Sequence, residues 1–392
     1  MGFLFTSQKK KNSNVVIFDI GSGSIGAAIV QLPTNKQELP VIIKSTRTEI
    51  SASEESNLDL LLKNMLRAID SVSININKNN PCVISDVFCV LSSPWYISET
   101  RIVKMEREYP FNFNQHFAND LIQKEILNLT ESYKKVYGEV GAPEVIESLI
   151  MGVSLNGYQT TDPIGKTCKT IEMNILASLS PVYFLNKIRE NISKYFHHIP
   201  INFSSFAAST YIAVRDRYIG ADSYILMDIS GEITDISVIT NGILRYSMSF
   251  PQGKKTFLRY ISDTKKIELR DANELFNLFN AGHLSSQIKI KTNQLFKTIE
   301  SMWSSEFRKC LDGLPNTIIL PDIVFVTADN DIKQWFIDII QNEDYINSRL
   351  GRKFKVINLD APQFFEMCSV KNSICDPFLM IEAISVMRKK EK

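Results

Sequence analysis

The sequence is poor in the residues from which metal centres and disulfide frameworks are made. Its 392 residues include four histidines and six cysteines. Cys82, Cys89, Cys168, Cys310, Cys368 and Cys375 are scattered, with no CxxC pair, which speaks against a disulfide framework and against a thiolate zinc site. His116, His197, His198 and His283 form no HExxH pattern and stand far from any cysteine pair, so metal-hydrolase chemistry is set aside on ligand spacing. Surplus charge is missing as well. Forty-four Lys and Arg face 43 Asp and Glu, a formal +1, and a chain without a basic excess does not hold nucleic acid through its bulk field. No apolar run approaches the ~20 residues that a transmembrane helix needs. The opening Met1-Gly2-Phe3-Leu4-Phe5 is too short for the apolar region of a secretory signal. These absences predict a soluble, cytoplasmic chain with no nucleic-acid partner. With 44% hydrophobic and 22% charged residues, the chain can bury a sizeable core. Its length predicts two or three domains.

Hydrophobic patterning gives the order of elements. Residues 1–14 read as a tail, an apolar cluster followed by Lys9, Lys10 and Lys11. Buried strands follow at Val15-Val16-Ile17-Phe18, Ala27-Ala28-Ile29-Val30 and Val41-Ile42-Ile43, with a glycine-serine loop between the first two. Leu58, Leu61, Leu62, Met65, Ile69 and Val72 share one helical face, and Ser53, Ser56 and Asn57 are candidate caps. A strand at 87–91 leads into Ser92-Ser93-Pro94. Residues 95–198 read as an α+β unit with a hairpin at Asn156-Gly157. After Asp222 the opening pattern returns, and Asn241-Gly242 turns the chain into a further strand. A helical stretch over 265–312 carries the stripe Leu295, Ile299, Trp303, Phe307 and Leu311. The last part is α/β again, closing on a helix over 377–387.

The strongest internal signal is a duplication. Asp19-Ile20-Gly21-Ser22-Gly23-Ser24 and Asp228-Ile229-Ser230-Gly231-Glu232-Ile233-Thr234 each follow a buried strand and turn into a second one. In such a turn the backbone N–H groups of small residues can converge on phosphate oxygens, while the acidic residue faces a magnesium ion through water. Two of them can grip a nucleotide's phosphate tail from opposite sides. Two other patterns fail on context. Gly21-Ser22-Gly23-Ser24-Ile25-Gly26 satisfies GxGxxG, but residues 27–32 are rich in β-formers and stop at Pro33, so no helix opens for a dinucleotide. Gly165-Lys166-Thr167 lacks the first glycine of a P-loop, which would stand at Thr160.

Four blocks in order, VIFDIGSGSIGAAIV, NGYQTTDPIGKTCKTIEM, MDISGEITDISVITNGILRYSMSFPQGKKTF and DANELFNLF, resemble the bacterial actin-like family that contains the cell-division protein FtsA and the pilus-assembly protein PilM. The resemblance runs from about residue 14 to residue 387. It implies an α/β fold, actin-like (ribonuclease H-like) and two-lobed, with an inserted α+β (SHS2-like) domain. The implied parts are a tail (1–14), a first lobe (15–94, 199–221 and 360–392), the inserted domain (95–198), and a second lobe with its phosphate core (222–264), helical part (265–316) and end (317–359). It also implies Mg-ATP between the lobes. Asp19 and Asp228 would hold magnesium through water, and Gly21, Ser22, Gly23, Ser24, Gly231, Glu232, Thr234 and Gly253 would bind the phosphates. The departures lie on the phosphate turn and the adenosine side. The family's P-x-GG turn reads Pro251-Gln252-Gly253, the lysine of its AE-x-x-K helix is Phe276, and Thr327-Ala328 replace a glycine pair. Glycines there let backbone lie against the base.

By this resemblance the chain is an FtsA-like cytoplasmic actin homologue that acts in cell division, as a membrane-associated adaptor or filament. Its partner would be a divisome or pilus component, or further copies of itself. The alternatives are a PilM-like pilus adaptor that binds a peptide in the inserted domain, and a degenerate scaffold that no longer hydrolyses ATP. No residue reads as a base that activates water, so the chain is at most a weak ATPase. The C-terminal membrane helix of FtsA has no counterpart before Lys392. The N-terminal Gly2-Phe3-Leu4-Phe5 with Lys9, Lys10 and Lys11 is the candidate for weak contact with the inner face of the membrane, since each lysine near an anionic surface adds roughly 1 kcal/mol.

Overall fold

A computed structural model of the chain describes residues 13–35, 37–52, 57–80, 82–137, 142–315, 318–344, 351–371 and 373–391. The N-terminal apolar and basic cluster and the candidate caps Ser53 and Ser56 lie outside these residues. The β-branched opening segment folds as an antiparallel meander of β1 (Ser13–Ile20), β2 (Ser24–Leu32) and β3 (Val41–Glu49). The helix α1 (Leu58–Asn77) follows, its first N–H groups at Asp59 and Leu60 donating to the Asn57 side chain, as an N-cap requires. Met65, Ile69 and Val72 of the predicted stripe are buried, whereas Leu58 is 64% exposed. β4 (Ile84–Leu91) then runs parallel to β1.

The inserted unit is an antiparallel sheet built from β5 (Ile97–Asn112), β6 (Pro143–Leu155), β7 (Tyr158–Thr160) and β8 (Thr167–Pro181), in the order β5-β8-β6-β7. α2 (Gln115–Tyr137) lies between β5 and β6 in sequence. Asn156 (φ 51°) and Gly157 (φ 82°) are the two left-handed residues that an Asn-Gly hairpin supplies. α3 (Val182–Ser193) packs beside α1. The chain then re-enters the first sheet as β9 (Ile201–Ser205), parallel to β4. α4 (Phe206–Arg217) is buried almost throughout, the mark of a helix covered on all sides.

The second lobe repeats the first. β10 (Tyr224–Ile229), β11 (Thr234–Thr240) and β12 (Ile243–Phe250) form the meander, and β13 (Ile323–Ala328) and β14 (Lys355–Asn358) add in parallel. The order β12-β11-β10-β13-β14 matches β3-β2-β1-β4-β9 of the first sheet, which also carries β15 (Ser369–Val370) at its edge. The sequence duplication is thus a duplication of topology, with Asp19 and Asp228 at the same place on the leading strand. Between β12 and β13 stand α5 (Lys254–Lys265), α6 (Leu269–Asn280) and α7 (Ser286–Asp312). α8 (Lys333–Gln341) connects β13 to β14, and α9 (Pro377–Lys390), capped by Asp376, ends the first lobe. Trp303, fully buried, centres the second-lobe core with Phe250, Phe307 and Phe336.

A second core ignores the division between lobes. Val15, Ile17 and Val30 of the first sheet, α4 and α9 join Tyr224, Leu226, Leu244 and Phe325 of the second in one apolar cluster. The inserted sheet also reaches β12. Arg245 donates to Asn174 Oδ1 at 2.6 Å and stands 3.6 Å from Glu172 Oε1, while Gly152 leaves room for Ile243. Among the described residues no helix is long and apolar enough to cross a membrane.

Candidate functional site

The two duplicated loops meet at the floor of the cleft between the lobes, and they meet in direct contact. A Cβ placed on Gly231 would lie 2.7 Å from both N and Cα of Gly23 and 2.8 Å from the carbonyl carbon of Ser22. A Cβ on Gly253 would lie 2.4 Å from the Ser230 carbonyl oxygen and 2.7 Å from C and O of Gly231. Three glycine backbones are therefore stacked, with the two lobes touching through them. None of the three has a positive φ, so closeness of approach, not left-handed backbone, is what calls for glycine.

The polar groups that would cradle a phosphate are turned on each other. Ser22 Oγ accepts the Glu232 N–H at 3.0 Å and lies 3.0 Å from Ser230 Oγ. Ser230 Oγ in turn donates to the Ile233 carbonyl at 2.9 Å. Lys255, at the start of α5, crosses the cleft and donates to the Ser22 carbonyl at 2.7 Å. Burial pulls its pKa down to about 8, against the attraction of Glu232. Gly21 N–H donates to Ser24 O, and the N–H groups of Lys254 and Lys255 go to the carbonyls of Ser230 and Gly231. The Glu232 carboxylate forms a two-pronged pair with Arg259, at 3.1 and 2.6 Å. Thr234 faces away from the cleft. Its hydroxyl donates to the Gln252 carbonyl at 2.7 Å and accepts Trp303 Nε1–H at 3.1 Å, so it belongs to the second-lobe core.

The two aspartates expected at magnesium also have internal partners. Arg47 donates to Asp19 Oδ2 at 2.7 Å, and Asp19 is 3% exposed. Burial raises the Asp19 pKa while Arg47 opposes the rise. Glu382 on α9 is fully buried beside it and is pushed well above the usual carboxylate range by burial and by the Asp19 charge. Asp228 accepts the Thr327 hydroxyl at 2.7 Å, and burial, then Asp235, raise its pKa well above the usual range. Asp235, which accepts Ser93 Oγ at 2.8 Å, is pushed up to about 7 by burial. Among the described residues no three His, Cys, Asp or Glu side chains are grouped to hold a metal ion.

Two cavities share the glycine contact as a wall. The inner one, between Asp19, Asp228 and Arg47, has a volume of about 30 Å³, room for a water or two. The outer one, about 250 Å³, is lined by Glu49, Lys254, Lys255, Arg270, Asn273 and Asp329, below the range usual for ligand sites, roughly 300–1,000 Å³. Phe276 does not face it but packs against Phe296 and Trp335. With the loops so placed, Gly23 and Gly231 leave no space between their own backbones for a phosphate group, while Lys254, Lys255 and Arg270 line the outer cavity beside that contact. The structure brings the two loops into contact, beside Arg47 and Lys255, two cations that the sequence pattern did not foresee. Arg47 lies in Ser45-Thr46-Arg47-Thr48-Glu49, which is polar throughout, as a solvated strand is.

The chain is similar to the PilM structure in a PilM–PilN type IV pilus biogenesis complex, with a TM-score of 0.62 at 10% identity, covering 96% of this chain and 98% of that one. It is also similar to the ethanolamine utilization protein EutJ from Carboxydothermus hydrogenoformans, with a TM-score of 0.47 at 9% identity, covering 96% of this chain and 90% of that one. No protein-family model matches the chain, and no curated protein matches it in sequence. Topology and the pilus likeness agree on an actin-like fold.

Proposed function

We propose that this chain is an actin-fold adaptor that works through protein contacts with its lobes held together, as a component of a pilus-type assembly, and that it does not depend on Mg-ATP. The observation that carries this reading is the Gly23–Gly231 contact, which closes the two loops on each other backbone to backbone. The fold likeness to PilM, solved in a type IV pilus biogenesis complex with PilN, supports a protein partner for this chain too. The inserted sheet is the partner face of this reading. β5 is its edge strand, and an edge strand offers unpaired backbone groups to an added peptide. An FtsA-like filament driven by Mg-ATP asks for a ligand between loops that are already in contact, and is the weaker reading.

Titration of the purified chain with Mg-ATP, with Mg-GTP as control, tests the proposal by heat of binding and by melting temperature. Both traces are expected to stay flat into the millimolar range. A ligand at a hundred times its dissociation constant stabilises by about 2.7 kcal/mol, so an ATP-specific response of that size overturns the proposal.

A further inference from the structure

We propose that Arg47 is the resident cation of the cleft, doing from within the chain the electrostatic work that the family resemblance gives to a magnesium ion. The inference rests on the ligand-independent reading above and gives it a chemical cause. Its geometry begins in the strand register. Gly26 on β2 is the cross-strand partner of Asp19 on β1 and of Arg47 on β3, so the three residues form one row across the sheet. An aspartate and an arginine two strands apart are normally separated by the side chain between them. Here that side chain is missing. A Cβ on Gly26 would stand 2.7 Å from Arg47 Nη2 and 3.0 Å from Cζ, which is the space the guanidinium occupies. The last glycine of the GxGxxG pattern, which has no dinucleotide to serve, is accounted for by this crossing.

The guanidinium is used on every nitrogen. Nη2 donates to Asp19 Oδ2 at 2.7 Å and to Asp376 Oδ1 at 3.1 Å, Nε donates to Asp376 Oδ2 at 2.7 Å, and Nη1 donates to Ser24 Oγ at 2.8 Å. Phe378 lies under it, with 5.1 Å between Cζ and the ring centroid, a cation–π distance. Asp376 is at the same time the N-cap of α9, accepting the N–H groups of Phe378 and Leu379. One fixed positive charge thus joins the first loop, the β-meander and the last helix of the first lobe. Such a fork is planar and always charged, and it cannot be diluted away as an ion can. The acids that face it are Asp19 and Asp376, with Glu382 behind Asp19.

The test uses the full chain and follows its melting temperature in EDTA, in magnesium chloride alone, and in methylguanidinium chloride. Wild type is expected to ignore all three. Arg47→Ala leaves two buried carboxylates without their partner and is expected to melt lower by roughly 5–10 °C. At least about half of that loss should return with methylguanidinium or with magnesium at roughly 10 mM, as a cation re-enters the site. Arg47→Ala with Asp19→Asn is the second variant. If the single variant does not fold, this one is expected to fold, because one uncompensated charge is gone. A wild type that is itself stabilised by magnesium overturns the proposal. So does a single variant that melts like wild type, or one that melts lower and answers to neither cation, or two variants that both fail to fold. These outcomes are separate from the Mg-ATP titration, since a flat wild-type response to ATP combined with an unrescued Arg47→Ala removes the resident cation and leaves the adaptor reading standing.

Discussion

Replacing Gly231 by alanine is expected to destabilise the chain by about 3 kcal/mol or more, toward the upper end of what overpacking costs. The added methyl meets N and Cα of Gly23 at 2.7 Å and C of Ser22 at 2.8 Å, about an ångström inside the distance at which carbon atoms attract. All three are backbone atoms, in the tight loop between paired β1 and β2, so no rotamer change relieves the clash. Nor can Gly231 back away, because Gly253 is packed against its C and O atoms from the other side. Relief requires the lobes to part, which exposes the Ser22, Ser230 and Lys255 bonds to water. Urea unfolding measures the loss, and hydrogen exchange at residues 22 and 230–232 shows whether the loops have separated. Gly313→Ala is the control, since its nearest neighbours stand at 3.4 and 3.5 Å and a change within about 0.5 kcal/mol is expected. A loss that small at Gly231 would mean that the loops stand apart in solution, with space for a phosphate chain between them.

Acidification from pH 7.5 to 5.5 is expected to stabilise the chain, by about 2 kcal/mol from Asp235 alone. Its carboxyl loses its proton at about 7 in the folded chain and at the ordinary 3.8 when unfolded. The folded state therefore holds the proton more tightly. This contribution is complete below about pH 4 and is lost as pH rises through 7. The groups around Asp235 do not reverse the sign. Asp228 is raised in the same direction, Ser93 is a neutral donor, and Lys255, lowered from 10.5 to about 8, acts in the opposite sense but by only about 0.2 kcal/mol between pH 5.5 and 7.5. Asp235→Asn keeps an acceptor for Ser93 and removes the charge, so its gain on acidification should be smaller than that of wild type by about 2 kcal/mol, Asp228 and Glu382 supplying what remains, and its melting temperature should exceed that of wild type at pH 7.5. A wild type that is more stable at pH 7.5 than at 5.5, with Asp235→Asn unchanged in slope, would mean that the carboxyl is solvated and ionised at neutral pH.

What could be seen in the sequence was local. The strand, acidic turn and strand at Asp19 and again at Asp228 are contiguous patterns, and so are Asn156-Gly157, Asn241-Gly242 and the stripe around Trp303. Each of these was legible because its physics lies within one or two turns of chain. α5 was not foreseen, since the family comparison reads Pro251-Gln252-Gly253 as a turn and the helix begins immediately after it. Arg47 was hidden for another reason. Its partners Asp19 and Asp376 are 28 and 329 residues away, and only the register of three strands and the placing of α9 bring them together. Glu232 shows the same limit. Small residues around it suggested a turn whose backbone N–H groups face a phosphate, and nothing in that local pattern showed that its carboxylate pairs with Arg259, 27 residues on.

The apolar cluster that joins Val15 and Val30 to Tyr224 and Phe325 bears on how the chain comes apart. Neither lobe owns this core, so neither can bury it alone. A cut near residue 221 would leave each fragment with an oily face of its own, and would part α4 from Tyr224, Leu226, Leu244 and Phe325 of the same cluster. The chain is therefore expected to unfold as one cooperative unit, and co-expressed halves should survive only as a complex. For a partner seated on the inserted sheet, gripping that small unit steadies the entire molecule, because the Arg245 contact with Asn174 carries the sheet into the same cooperative block.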